Sequence, residues 1–120
     1  MKRGEIWVAK LNPSQGAEVG KVRPVLVIQA DELTEAGADT VVILPLTTQV
    51  RPGLRLYRVT VPARDRILRD CQVIIEKPRS LDRRRFGEDP LSTLTATEMA
   101  SVERGLLAVL GMASYLPDNP

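Results

Sequence analysis

The sequence predicts a mainly β domain with a C-terminal helix, folded as a small, partly open barrel. Three observations carry that expectation. Short apolar runs separated by turn residues fill the first two-thirds of the chain, and one amphipathic helical pattern occupies the rest. A chain of 120 residues makes one domain, 1–120, able to bury about two-thirds of its unfolded surface. A single helix after several short strands is satisfied when the sheet curls on itself and the helix lies across it.

The elements follow in order. Ile6 to Leu11 reads as a strand stopped by Asn12-Pro13. A Gly-containing loop leads to Pro24-Val25-Leu26-Val27-Ile28, a continuous apolar run typical of a strand buried on both faces. Pro24 biases Arg23 toward an extended backbone. Asp31 to Ala36 reads as a short helical turn, and Val41 to Leu46 as a third buried strand running into Thr47-Thr48-Gln49. Arg51-Pro52-Gly53 is a turn, and Leu54 to Val59 alternates apolar with polar except at Tyr57-Arg58. Val73-Ile74-Ile75 is the fifth strand. Ser80-Leu81-Asp82 reads as the start of a helical turn carrying Arg83, Arg84 and Arg85, closed by Gly87. Thr95-Ala96-Thr97-Glu98 has the form of a capping box, and Met99, Val102, Leu106, Val109, Leu110 and Ala113 then recur at helical spacing up to Pro117. Gly105 and Gly111 weaken that helix by about 1 kcal/mol each, so packing must hold it.

Composition narrows the chemistry. The chain has no histidine and a single cysteine. These counts exclude Ser-His-Asp and Cys-His nucleophile systems, histidine metal sites, an internal disulfide and a multi-thiolate zinc cluster. No metal or cofactor is expected. Cys71 reads as a small buried residue and Trp7 as core. Met1-Lys2-Arg3 runs directly into Gly4-Glu5, and no apolar run approaches about 18 residues, so a cytoplasmic protein without membrane contact is expected.

The formal charge of +2 hides a segregation. Arg51 to Arg85 holds ten Arg and one Lys against four acids, a local charge of +7. Such an arginine-rich stretch suits a polyanion, although a plain solvated surface explains it equally well. Three polar groups stand at strand ends: the loop from Gly16 to Arg23 with Glu18 and Lys21, the Thr47-Thr48-Gln49 run, and Glu76-Lys77-Pro78-Arg79. In the last group, period-two geometry puts Lys77 and Arg79 on one face. Each taken alone has an ordinary structural explanation as a surface ion pair, a turn or a protected edge.

Taken together, Arg3-Gly4-Glu5-Ile6-Trp7, Leu11-Asn12-Pro13, Gly16-Ala17-Glu18, Arg23-Pro24-Val25-Leu26-Val27, Leu46-Thr47-Thr48-Gln49 and Leu81-Asp82-Arg83-Arg84-Arg85 resemble the MazF/PemK family of toxin endoribonucleases. The motifs fall in family order from residue 3 to about residue 87. The resemblance implies an SH3-like barrel of the CcdB/MazF type, acting as a homodimer that cuts single-stranded RNA without a metal. It also implies a type II toxin held in check by a cognate MazE-like antitoxin. By motif match Arg23 and Thr47 take the catalytic positions, and Glu18 that of the loop glutamate. Two departures stand out: Ala17 replaces a frequent Ser, and Lys77 falls where many relatives carry Gln.

Cleavage of this kind is attack of the ribose 2′-OH on the adjacent phosphate, leaving 2′,3′-cyclic phosphate and 5′-OH ends; DNA lacks the nucleophile. Arg23, aided by Thr47, suits stabilisation of charge on the phosphoryl oxygens, and Glu18 is the candidate base. Lys21, Thr48, Gln49, Arg51, Arg55, Arg58, Lys77 and Arg79 are the candidate RNA contacts. With four aromatic residues, base stacking falls to arginine planes or Tyr57. Two other readings stay open: a CcdB-like gyrase-binding toxin, and a non-catalytic RNA-binding barrel.

Overall fold

A computed structural model describes residues 1–12, 21–54 and 57–116. The strands are β1 (Glu5–Lys10), β2 (Val22–Val27), β3 (Thr40–Thr47), β4 (Arg58–Val61), β5 (Cys71–Ile74), β6 (Arg79–Asp82) and β7 (Phe86–Thr93). The helices are α1 (Asp31–Glu35) and α2 (Ala96–Val109). All described pairings are antiparallel, in the order β4-β5-β3-β2-β1-β7, with β6 also on β3. Among the described residues the ends of that order do not pair, so the barrel is partly open, as the sequence predicts.

The period-two alternation of the strands sorts the core into two clusters. Ile6, Leu26, Leu44, Leu46, Val61 and Val73 form one, and Val102, Met99, Leu106 and Val109 of α2 cover it. Trp7, Ala9, Val25, Val27, Val41, Ile43 and Leu81 form the other. β2 and β3 feed both clusters, which explains why their sequences are continuous apolar runs.

The capping box of α2 forms as expected: Thr95 accepts the Glu98 N–H at 3.1 Å and Glu98 accepts the Thr95 N–H at 2.9 Å. Its far end differs from expectation. The helix stops at Val109, and Gly111 takes φ +73, the left-handed conformation that terminates helices. Gly111 is therefore the stop, well ahead of Pro117.

Three further expectations are corrected. The alternating run begun at Leu54 is not a strand at its start, because Pro52–Leu54 form a 3-10 turn and β4 begins at Arg58. Ser80-Leu81-Asp82 belong to β6, and only Arg83–Arg85 form the helical turn, with Asp82 as its cap. β7 is an additional strand that apolar patterning does not announce.

Candidate nucleic-acid cleft

β2 and β3 stay paired only as far as Val25 opposite Pro45. Pro24 and Pro45 carry no N–H, so neither can donate to a longer ladder there. Beyond this point β3 turns to β5, with Leu46 opposite Val73 and Thr47 opposite Gln72. β2 remains with β1, with Arg23 opposite Ala9 and Val22 opposite Lys10. The two strands part, and a cleft of about 200 Å³ opens in the split. Lys21, Arg23 and Pro24 come from one side, and Leu46, Thr47, Thr48 and Cys71 from the other. Two sequence-predicted groups, around Arg23 and around Thr47, are thus brought together.

Thr47 is 8% exposed, and its Oγ1 accepts the Gln49 N–H at 3.1 Å. That bond occupies a lone pair and leaves the hydroxyl its own proton to donate. Thr48, Gln49 and Arg51 are exposed beyond it. The loop they form is tied down by a residue that sequence reasoning missed. Gln72, 3% exposed, accepts the Arg51 N–H through Oε1 at 2.8 Å and donates through Nε2 to the Thr60 hydroxyl at 3.2 Å. A lone amide inside the apolar run after Cys71 was the available signal.

The root of the loop before β2 is also fixed. The Leu11 N–H donates to the Lys21 carbonyl at 2.7 Å, and the Lys21 N–H to Asn12 Oδ1 at 2.7 Å. Lys21 adopts φ 67, a left-handed backbone unusual for lysine. Arg85 donates to the carbonyls of Lys10 and Asn12. Glu18, the candidate base, lies outside the described residues, and so does Arg55.

Lys77 and Arg79 do not share a strand face. From Leu46 to Ile43 is three residues, while their partners Val73 and Arg79 are six apart, so β3 meets an insertion. A turn fills it, with the Lys77 N–H on the Ile74 carbonyl at 3.4 Å. Lys77 sits on that turn and Arg79 opens β6 beside Ile43, so period-two reasoning fails between them. Neither lines the cleft.

The arginine-rich segment serves the fold more than its charge suggests. Arg58 keeps only 9% of its side chain exposed, pairs with Glu76 at 3.6 Å and lies in the groove between β4 and α2, apart from the cleft. Arg64 makes a two-pronged contact with Glu98, at 2.6 and 2.9 Å. Arg83 donates to the carbonyls of Thr34 and Ala38 around the end of α1. Arg84 pairs with its neighbour Asp82, and its side chain stays 90% exposed.

Cys71 borders the cleft, and burial pushes its thiol up, which disfavours the thiolate that a nucleophile needs. Among the described residues no group of three or more metal-ligating side chains is assembled, and no helix is long and apolar enough to cross a membrane.

A curled antiparallel sheet backed by one helix, with Arg23 and Thr47 lining one cleft where two strands part, places the chain among the small, partly open β-barrels. Residues 2–110 match the PemK-like, MazF-like toxin family of type II toxin-antitoxin systems, and the chain belongs to that family. The endoribonuclease MazF of Staphylococcus epidermidis is 29% identical over 116 residues, 96% of this chain and 95% of that one. The crystal structure of MazF from Deinococcus radiodurans superposes with a TM-score of 0.80 at 26% identity, covering 93% of this chain and 97% of that one. A MazE-MazF structure from the same organism superposes with a TM-score of 0.74, also at 26% identity, with the same coverage.

Proposed function

We propose that this chain is a metal-independent endoribonuclease toxin that cuts single-stranded RNA at the cleft between β2 and β3. The observation that carries the reading is the placement of Arg23 and Thr47 on the two sides of one small cleft. The substrate supplies its own nucleophile, the 2′-OH, so the protein need only hold the phosphate and meet the charge that develops on it. Arg23 offers a permanently charged planar donor set, and the Thr47 hydroxyl a second donor. Glu18 is assigned as the base that takes the 2′-OH proton. The guanidinium is too weak an acid for that cycle, so Arg23 works by electrostatic stabilisation.

Thr48, Gln49, Lys21 and Arg51 border the cleft or continue from it, and are assigned to base and phosphate contacts. Lys77 and Arg79 are assigned to RNA farther along β3, and Arg55 to its phosphates. Arg58 is the weakest of these assignments, since it pairs with Glu76 and lies in the groove between β4 and α2, apart from the cleft.

The partner is a MazE-like antitoxin whose acidic segment competes for the same basic surface, a reading supported by the MazE-MazF relative. The exposed Leu110, Met112 and Tyr115 that follow α2 give an apolar face for a homodimer, testable by light scattering. The family match favours a nuclease over a gyrase-binding toxin or a silent RNA-binding barrel.

Incubation of the purified protein with single-stranded RNA in EDTA tests the function. Cyclic-phosphate and 5′-OH ends that vanish with Arg23→Ala are expected. Intact RNA, or cleavage indifferent to Arg23, contradicts the assignment.

A further inference from the structure

A second depression of about 540 Å³ lies on the other side of Val22 from the cleft, and the two share that residue. Lys10, Asn12, Asp82, Arg84 and Arg85 complete it. The strand order β3-β2-β1-β7 explains the arrangement. Thr47 ends β3, Val22 and Arg23 begin β2, Lys10 ends β1, and the 83–85 turn leads into β7. These residues therefore run across neighbouring strand ends at one end of the sheet. With paired strands about 4.8 Å apart, β2, β1 and β7 span about 10 Å, and the split between β2 and β3 adds the width of the cleft. Val22, 59% exposed, stands as an apolar ridge between two positively charged hollows.

We propose that the RNA-binding surface continues from the cleft over Val22 into this hollow, where Lys10 and Arg84 hold a backbone phosphate on one flank of the cut. This rests on the RNA-cleaving reading of the cleft and adds a flanking subsite to it. Arg85 is committed to the Lys10 and Asn12 carbonyls and contributes charge and shape. Arg84 is the exposed donor: Asp82 engages its Nε and Nη2, each at 3.0 Å, which leaves the rest of its donor set for a phosphate. Asp82 both aims Arg84 and subtracts charge from the hollow. Val22 offers an apolar surface for the intervening base or ribose.

The test uses the full chain and two single-stranded oligoribonucleotides containing the mapped cut, one extended on both flanks and one trimmed to the cut. Lys10→Ala and Arg84→Ala are expected to raise KM on the extended substrate about fivefold with kcat within about twofold, and to leave the trimmed substrate unaffected. Asp82→Asn keeps a capping side chain and is expected to lower KM on the extended substrate. A 2′-deoxy residue at the cut gives an uncleavable version for binding by anisotropy. There each lysine or arginine variant should make the slope of log K against log salt shallower by about 0.7. Equal losses on trimmed and extended RNA, or unchanged KM and salt slope in both variants, overturn the subsite. Failure of the wild-type protein to cut either RNA overturns the nuclease reading instead, and the binding arm still decides whether Lys10 and Arg84 contact the strand.

Discussion

Gln72 and Arg51 are joined by a hydrogen bond from the Arg51 N–H to Gln72 Oε1 at 2.8 Å, and Gln72 itself faces Thr47 across the β3–β5 ladder. The Gln72 backbone thus pairs with the end of the strand that carries Thr47, and its buried amide ties down the loop that follows. Gln72→Met keeps the volume and removes both side-chain bonds, leaving the Arg51 N–H and the Thr60 hydroxyl without that partner. A stability loss of about 1–3 kcal/mol is expected by urea denaturation. RNA cleavage should fall mainly through KM, because the loop is the part released. Gln72→Glu keeps an acceptor for Arg51 and should recover part of the KM loss.

Two arginines of the 83–85 turn, Arg83 and Arg84, are expected to separate cleanly in stability. Arg83→Ala strips donors from the Thr34 and Ala38 carbonyls and should cost about 1.5–3 kcal/mol. Arg84→Ala loses only a solvent-exposed pair and should melt close to the wild type. Thermal melts of the two variants, side by side, check this ordering.

The N-terminus of α2 makes stability depend on acid. The Arg64 guanidinium, and then the Thr95 backbone, hold the Glu98 carboxyl below the usual carboxylate range against the opposing effect of burial. A carboxyl with a lower value in the folded protein contributes its full stabilisation above its ordinary titration range and loses it as pH falls through the folded value. Urea midpoints measured from pH 7 down to pH 3 should fall, and Glu98→Gln should flatten that part of the profile. Thr95→Ala should cost about 1 kcal/mol at pH 7 by removing the other half of the cap.

At the cleft, Arg23→Ala is expected to lower kcat by about 100- to 1,000-fold, the range of losing one donor to a developing oxyanion. Thr47→Val preserves shape and removes the hydroxyl. It should lower kcat and also free the Gln49 N–H that Thr47 accepts. Single-turnover kinetics, with enzyme in excess of the RNA and at saturating concentration, separate the two effects. Glu18→Gln with unchanged kcat would remove the base assignment and leave the arginine role standing.

Much of this architecture is legible in the sequence because burial dictates it. β2 and β3 lie between two core clusters and so read as unbroken apolar runs, and the capping box names the start of α2 directly. β7 is illegible for the converse reason. It ends the sheet, carries Gly87 and Pro90, buries only Ser92, and pairs with β1 through register shifts, so no alternation marks it. The turn over residues 75–78 is hidden similarly, because an insertion between two segments that pair with the same strand leaves no compositional mark. Arg23 and Thr47 were nameable from their motifs. Their meeting depends on the parting of β2 from β3, which the two prolines foreshadow. The arginine-rich segment was legible as charge, but the carbonyls and carboxylates that claim Arg64, Arg83 and Arg85 belong to distant parts of the chain.

The central claim is that the RNA provides the nucleophile and Arg23 the charge stabilisation. The most direct measurement is the cleavage rate of two oligoribonucleotides, in EDTA, that differ by one 2′-deoxy substitution immediately 5′ to the mapped cut. The account predicts rapid cleavage of the all-ribose strand to cyclic-phosphate and 5′-OH ends, and no cleavage at that position in the substituted one. Cutting of the deoxy-substituted strand at the same phosphate would contradict it.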